Sequence, residues 1–154
     1  MGASVEQIAT VLREEAANVL ASHPDLHHEW SDEGSVVTLR FPPVDTLGFE
    51  VAVHAGEGYL YVLMGRTHES FDVDPRQPKE AVVAALGLIR DLLTPNMRLR
   101  ELRAGGKPYR WFVENYDGST WQLEAETGLL LYNFFGTRSE HVFQNRQLSD
   151  RGAA

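Results

Sequence analysis

The sequence predicts an α+β protein in which two helix-plus-antiparallel-meander units follow one another in the order α-βββ-α-ββββ. Three observations predict this class. Two segments have apolar residues at helical spacing, and most of the remaining chain alternates apolar and polar residues between turn signals. Each half also ends with a hydrophobic segment that is followed by a glycine and several polar residues. These segments are residues 59–64, before Gly65, and residues 129–135, before Gly136. We expect the helices to pack on one face of a curved antiparallel sheet or of two adjoining sheets.

Length and composition fit one domain that covers residues 1–154. The chain has 154 residues, of which 43% are hydrophobic and 23% charged, as in an ordinary globular protein with a full-sized core. The similar order of elements in the two halves predicts an internal pseudo-repeat of residues 4–70 and 75–143.

The sequence contains no cysteine, which excludes disulfides, thiolate-bound metals and thiol nucleophiles. The longest apolar run, residues 81–89, is too short for a membrane span, and the N-terminus does not have the pattern of a cleaved signal peptide. Arginine is common whereas lysine occurs only at Lys79 and Lys107, a preference often found in proteins from GC-rich bacterial genomes. We therefore expect a cytoplasmic bacterial protein.

Charge is distributed unevenly along the chain. Residues 1–74 contain three arginines and thirteen acidic residues, a balance of −10, whereas residues 75–154 have a balance of +2. The net charge of −8 disfavours nucleic acid, because phosphate groups are repelled. The expected partner is another protein, which could be basic because the first half of the chain is acidic. Neither nucleic acid nor a membrane is expected as a partner. The alternative is a solvated surface whose carboxylates keep the protein soluble.

The first helix is predicted over Val5–Ala21, with Ser4 as its N-cap and Pro24 beyond its end. The second is predicted to begin at Asp74 and Pro75 or else at Pro78, and to end before residue 94. The second helix has the wider apolar face, so we expect it to be the more buried of the two.

Strands are predicted in the rest of the chain, separated by glycine-containing turns. The strongest turn signals are Gly105-Gly106, Asp117-Gly118 and Thr127-Gly128. The predicted strands cover residues 36–41, 49–54, 59–64, 97–103, 109–115, 120–126 and 129–135, with a short further strand at 141–143.

Two-residue turns would give the second meander a defined register, with Glu101 opposite Arg110. One face would then carry Leu99, Phe112, Trp121, Leu123, Tyr132 and Phe134 and lie beneath the helices. The opposite face would be amphipathic, with Arg100 and Glu124 on either side of Trp111, a composition typical of interface hot spots. The candidate partner- or ligand-binding residues on that face are Arg98, Arg100, Trp111, Gln122, Glu124 and Phe135, accompanied by Leu131. The alternative is that the first half of the chain covers this face.

No residue pattern predicts catalysis, a metal site or a cofactor. His23, His27 and His28 are close in sequence, but Pro24 interrupts the helix that would bring two of them onto one face. Glu124 and Glu126 are paired carboxylates on a strand face that we expect to be solvated. The sequence has neither a nucleophile elbow nor a glycine-rich phosphate loop.

The order of elements, the small size and the acidity resemble the type III secretion chaperone fold, although the final helix of that fold is not predicted here. From the amphipathic face and the uneven charge we expect a non-catalytic protein that binds another protein or a second copy of itself, as a chaperone, inhibitor or adaptor. One alternative is a small-ligand protein or enzyme with a pocket between helix and sheet, lined by Tyr109, Trp111, Tyr132 and His141. Another is an immunity-type toxin inhibitor whose acidic half masks a basic site.

Overall fold

Two helices form where the apolar periodicity predicts them in the computed structural model, which describes residues 2–149. Helix α1 covers Val5–Ala21, and the Ser4 side chain accepts a hydrogen bond from the Gln7 amide at its start. Helix α2 covers Pro78–Leu92, so it begins at the later of the two predicted positions. Asp74 instead forms a turn before the helix, where its carboxylate accepts a hydrogen bond from the Arg76 amide.

The first sheet is a five-stranded antiparallel meander that follows α1. Its strands are β1 (Glu29–Glu33), β2 (Val36–Phe41), β3 (Val51–Gly56), β4 (Tyr59–Met64) and β5 (Thr67–Asp72), and they lie side by side in chain order. The two edge strands, β1 and β5, were not predicted. Both have mostly polar, exposed side chains, so they do not show the apolar alternation by which a half-buried strand is recognised.

Both helices pack on one face of the first sheet and form the centre of the core. Leu39, Val53 and Val62 are paired across three strands and are completely buried beneath the helices. Ile8 and Leu12 of α1 and Ile89 of α2 belong to the same cluster. The predicted arrangement of helices on one face of an antiparallel sheet is therefore confirmed.

The second sheet has four antiparallel strands in the order β8-β7-β6-β9. These are β6 (Met97–Ala104), β7 (Lys107–Tyr116), β8 (Trp121–Gly128) and β9 (Arg138–Phe143). The predicted strand at residues 129–135 is wrong. Because β9 pairs with β6 and not with β8, the chain has to cross from one edge of the sheet to the other, and residues 129–137 form the irregular connection.

The register predicted between β6 and β7 is wrong by one residue, because β7 contains a bulge. The register predicted between β7 and β8 is also wrong, because the connection has four residues, 117–120, and not two. The turn at Gly105-Gly106 forms as expected, but the pairing shifts between Leu102 and Arg103, which leaves Tyr109 as the extra residue. Glu101 therefore lies opposite Trp111 and not opposite Arg110. The shift moves Trp111 onto the inner face of the sheet, together with Leu99, and moves Phe112 to the outer face.

The two sheets share one hydrophobic core. Leu99, Trp111 and Val113 on the inner face of the second sheet are all buried in the cluster that contains the helices. Gly65, at the turn between β4 and β5, has a φ of 64°, and a Cβ atom there would lie only 2.5 Å from Leu99 Cδ2. This close approach needs glycine for both its conformation and its size.

The residues that follow β9 return to the first sheet and to α2. Asn145 is buried, its side chain accepts a hydrogen bond from the Phe49 amide at 3.0 Å, and it donates one to the Leu92 carbonyl at 3.2 Å. The Leu148 amide donates to the Leu93 carbonyl at 3.0 Å.

None of the helices within residues 2–149 is both long and apolar enough to cross a membrane. The pseudo-repeat of residues 4–70 and 75–143 stays a prediction.

Candidate functional site

Arg98 and Arg100 lie on the outer face of the second sheet, as predicted, but Trp111 does not. Trp111 is only 3% exposed on the inner face, where its indole Nε1 donates a hydrogen bond to Glu101 Oε2 at 2.7 Å. Arg103 Nε donates to the other oxygen of the same carboxylate at 2.6 Å. Trp111 is thus part of the core, and the predicted grouping of Trp111 with Arg100 and Glu124 is wrong because of the bulge at Tyr109.

The outer face includes Arg98, Arg100, Phe112, Glu114, Trp121, Leu123, Glu140 and Val142. Its centre is Glu114, whose carboxylate accepts hydrogen bonds from Arg98 Nε at 2.6 Å and from Arg100 Nη2 at 2.9 Å. Glu140 approaches Arg100 at 3.6 Å on the neighbouring strand. Two arginines and two carboxylates therefore form one network in which the charges balance.

Aromatic rings lie beneath both arginines of this network. The Arg98 guanidinium is 4.1 Å from the centre of the Trp121 ring, and that of Arg100 is 4.3 Å from the centre of the Phe112 ring. These distances are within the range of cation–π contacts. The rings and ion pairs hold both guanidinium groups in place, so the outer face is preorganised.

Burial raises the pKa of Glu114, but the hydrogen bonds from Arg100 and Arg98 have the larger combined effect, so the pKa of this carboxyl lies below its ordinary value. The same network affects Arg100. Desolvation lowers the pKa of the guanidinium, while the hydrogen bond to Glu114 and the two nearby carboxylates raise it above its ordinary value overall. Both partners are therefore charged at neutral pH.

Replacing Glu114 by glutamine is expected to lower the free energy of unfolding by about 1–3 kcal/mol at neutral pH, because the three charge-assisted hydrogen bonds from Arg98 and Arg100 are weakened. The pKa of Glu114 is lower in the folded than in the unfolded protein. This stabilisation is therefore complete above the ordinary glutamate pKa of about 4.5, declines below it, and is lost as the pH falls through the lowered value. Urea denaturation of both proteins across this range measures the difference. The control is Glu126→Gln. Glu126 forms an exposed ion pair with Arg110 at 3.6 Å, so its replacement should have little effect on stability.

The other predicted site residues are separated from the outer face. Gln122 donates hydrogen bonds to Asp117 and Thr120 at the tip of the β7–β8 hairpin. Glu124 is the extra residue of a second bulge and accepts a hydrogen bond from Asn115. Phe135 lies in the connection between β8 and β9 and is fully exposed. The structure therefore brings together only Arg98 and Arg100 of the six predicted residues.

A groove of about 580 Å³ lies between α2, β5 and the second sheet. Its lining combines apolar side chains with carboxylates and amides: Glu69, Phe71, Ala84, Gly87, Leu88, Asp91, Thr94, Asn96, Met97, Asn115, Tyr116 and Glu124. The four residues expected to line a pocket are not among them. Tyr109 and Tyr132 stack on each other elsewhere, with ring centres 4.2 Å apart, and Trp111 is in the core.

The histidines near the end of α1 make local contacts. His28 Nδ1 is 3.0 Å from the Leu26 carbonyl oxygen, and His27 is 3.6 Å from Glu29. Over the part of the chain that the structure describes, no three histidine, aspartate or glutamate side chains are grouped as metal ligands.

Sequence reasoning missed the apolar loop, which we define as residues 129–137. Leu130, Leu131 and Phe135 are 94%, 86% and 101% exposed, although the same run of residues reads as a strand. Asn133 and Gly136, both common in turns, were the signal that could have indicated a loop.

Comparisons of the chain with family models, curated proteins and solved structures found no match.

Proposed function

We propose that this protein is a non-catalytic, cytoplasmic protein that binds another protein through the outer face of the second sheet. The observation that carries the proposal is the preorganised set of two arginines on two aromatic rings, flanked by exposed apolar side chains. Leu123 is 57% and Val142 45% exposed, so no described element covers this face. Aromatic residues and arginine are the types most enriched in the energetically important parts of protein interfaces.

The charge balance of the outer face also supports a protein partner. Burying a charged side chain costs free energy unless it is paired. Arg98 and Arg100 are already paired with Glu114 and Glu140, so a partner can cover them without leaving a buried unpaired charge. The apolar side chains around the network can then contribute most of the binding free energy.

Site-specific crosslinking tests this proposal in the cells that produce this chain. A photo-crosslinking amino acid at Val142 is expected to give one discrete covalent adduct with another protein there. The adduct should be lost when Arg98 and Arg100 are both replaced by alanine. Val83, which is 49% exposed on α2, is the matched control position and should give no adduct.

Two outcomes would contradict the proposal. One is that Val142 gives no adduct, and the other is that adducts form equally at Val142 and Val83. An adduct between two copies of this chain would show that the partner is a second copy and that the protein forms a homodimer. Adducts at Val83 alone would place the partner on α2 and not on the outer face.

A further inference from the structure

The apolar loop carries the most exposed large apolar side chains in the described part of the chain. Leu130, Leu131 and Phe135 are almost as accessible as in an extended peptide, and Leu129 and Phe134 are at least half exposed. Five large apolar side chains within seven residues form a contiguous patch, which is uncommon on a protein that has no partner for it. The Leu130, Leu131 and Phe135 side chains, at exposures of 86–101%, project into solvent.

The base of the loop is held in place by stacked rings. Tyr132 stacks on Tyr109 with ring centres 4.2 Å apart, and Phe134 packs on Tyr132 at the same separation. The Arg138 guanidinium lies 5.0 Å from both tyrosine rings and donates a hydrogen bond to the Phe134 carbonyl at 3.0 Å. These contacts fix the base of the loop while the leucine and phenylalanine side chains at its tip remain free.

Further hydrogen bonds attach the loop to the neighbouring β6–β7 turn. The Gly105 amide donates to the Thr137 carbonyl at 3.0 Å, and the Leu129 amide donates to the Tyr109 carbonyl at 2.8 Å. The loop is therefore anchored at both ends.

Basic side chains surround the base of the loop. Lys107, Arg110 and Arg138 are all exposed at this end of the second sheet, and the acidic side chain paired with them is Glu126, 3.6 Å from Arg110. This local excess of positive charge contrasts with the net charge of −8 for the whole chain. Charges farther away than about 10 Å are largely screened at physiological salt, so the local sign determines what the loop attracts.

We infer that the apolar loop inserts into the surface of an anionic lipid membrane. A lipid surface buries protruding leucine and phenylalanine side chains without a cavity of matching shape, whereas a protein partner would need one. Tyrosines at the base of the loop would lie at the level of the headgroups, where aromatic side chains are favoured. Lys107, Arg110 and Arg138 would contact anionic headgroups.

No membrane partner was expected from the sequence, because no apolar run is long enough to span a bilayer. Contact of a loop with the membrane surface is a different kind of binding. A loop whose tip reaches only the boundary between headgroups and acyl chains does not cross the bilayer, so it needs no apolar run of spanning length. The inference goes beyond the proposed function, because it concerns the apolar loop and not the outer face. The two proposals are tested by different variants and different measurements, so either can fail alone.

Sedimentation with lipid vesicles tests the inference. The wild-type protein is expected to sediment with vesicles of mixed phosphatidylcholine and phosphatidylserine, and much less with vesicles of phosphatidylcholine alone. The double variant Leu130→Ser with Phe135→Ser should reduce the fraction bound by about tenfold or more, because each side chain loses its transfer into the membrane. High salt and Lys107→Glu should also weaken the binding.

The matched control variant is Val44→Ser with Leu47→Ser, which removes two other exposed apolar side chains, 65% and 60% accessible, in the connection between β2 and β3. It should bind vesicles as the wild type does. All variants replace exposed side chains, so their denaturation midpoints should equal that of the wild type, and this comparison separates loss of binding from loss of folding.

Three results would overturn the inference. The first is that the wild type does not sediment with anionic vesicles, and the second is that the loop variant binds them as well as the control does. The third is that, without lipid, the wild type sediments as a dimer while Leu130→Ser with Phe135→Ser is a monomer. That result would show that the loop is covered by a second copy of the chain.

Discussion

Replacing Trp111 by alanine is expected to lower the free energy of unfolding by about 3–5 kcal/mol, the usual range for removing a large aromatic side chain from a core. Trp111 is 3% exposed and packs in the cluster that joins the two sheets. The substitution leaves a cavity there and also removes the hydrogen bond to the buried carboxylate of Glu101. Both effects destabilise the protein.

Urea denaturation followed by circular dichroism measures this loss. Trp111→Phe keeps most of the ring but removes the donor to Glu101, so it should cost about 1–3 kcal/mol. Phe112→Ala is the matched control on the neighbouring residue, whose side chain lies on the outer face and is only partly buried. If Trp111→Ala were no more destabilising than Phe112→Ala, the register with Trp111 on the inner face would be incorrect.

Replacing Asn145 by alanine is expected to lower the free energy of unfolding by about 2–5 kcal/mol. The Asn145 side chain satisfies the Phe49 amide and the Leu92 carbonyl, and the residue is 1% exposed. Alanine can replace neither hydrogen bond, and an unsatisfied buried polar group typically costs about 1–3 kcal/mol. The position also fits asparagine closely, since a Cβ atom on Gly48 would lie 2.7 Å from Asn145 Oδ1.

Denaturation and amide hydrogen exchange together test this prediction. Exchange of the Phe49 amide should become faster in Asn145→Ala by more than the global loss of stability accounts for, because its acceptor is absent. Arg146→Ala, an exposed neighbour, should change stability by less than about 0.5 kcal/mol. Equal stability of the two variants would contradict the role of Asn145.

The helices and most of the hairpins could be predicted from the sequence because their signals are local. Ser4 as a cap, and the Gly105-Gly106 and Asp117-Gly118 turns, determine conformation within a few residues. The edge strands β1 and β5 could not be predicted in this way. Their conformation comes from pairing with β2 and β4, which is a tertiary effect and not a property of their polar side chains.

The candidate site was predicted only in part because bulges have weak sequence signals. Arg98 and Arg100 alternate on one strand, so they share a face whatever the register. Trp111 lies on the partner strand, and its face depends on the extra residue Tyr109. The alternation along β6 could have indicated the correct face of Trp111. With Met97 and Leu99 on the inner face, Glu101 lies on the same face and needs a buried hydrogen-bond donor, which the Trp111 indole provides.

The hydrogen bonds of Asn145 also affect the order in which the chain can fold as it is synthesised. Asn145 follows Phe49 by 96 residues and Leu92 by 53. Until the ribosome has made Asn145, the Phe49 amide and the Leu92 carbonyl have to be hydrogen-bonded by water. We therefore expect the first sheet and α2 to reach their final stability only after Asn145 has been synthesised, and a stalled nascent chain that ends before Asn145 to remain more sensitive to proteases than one in which Asn145 has left the ribosome.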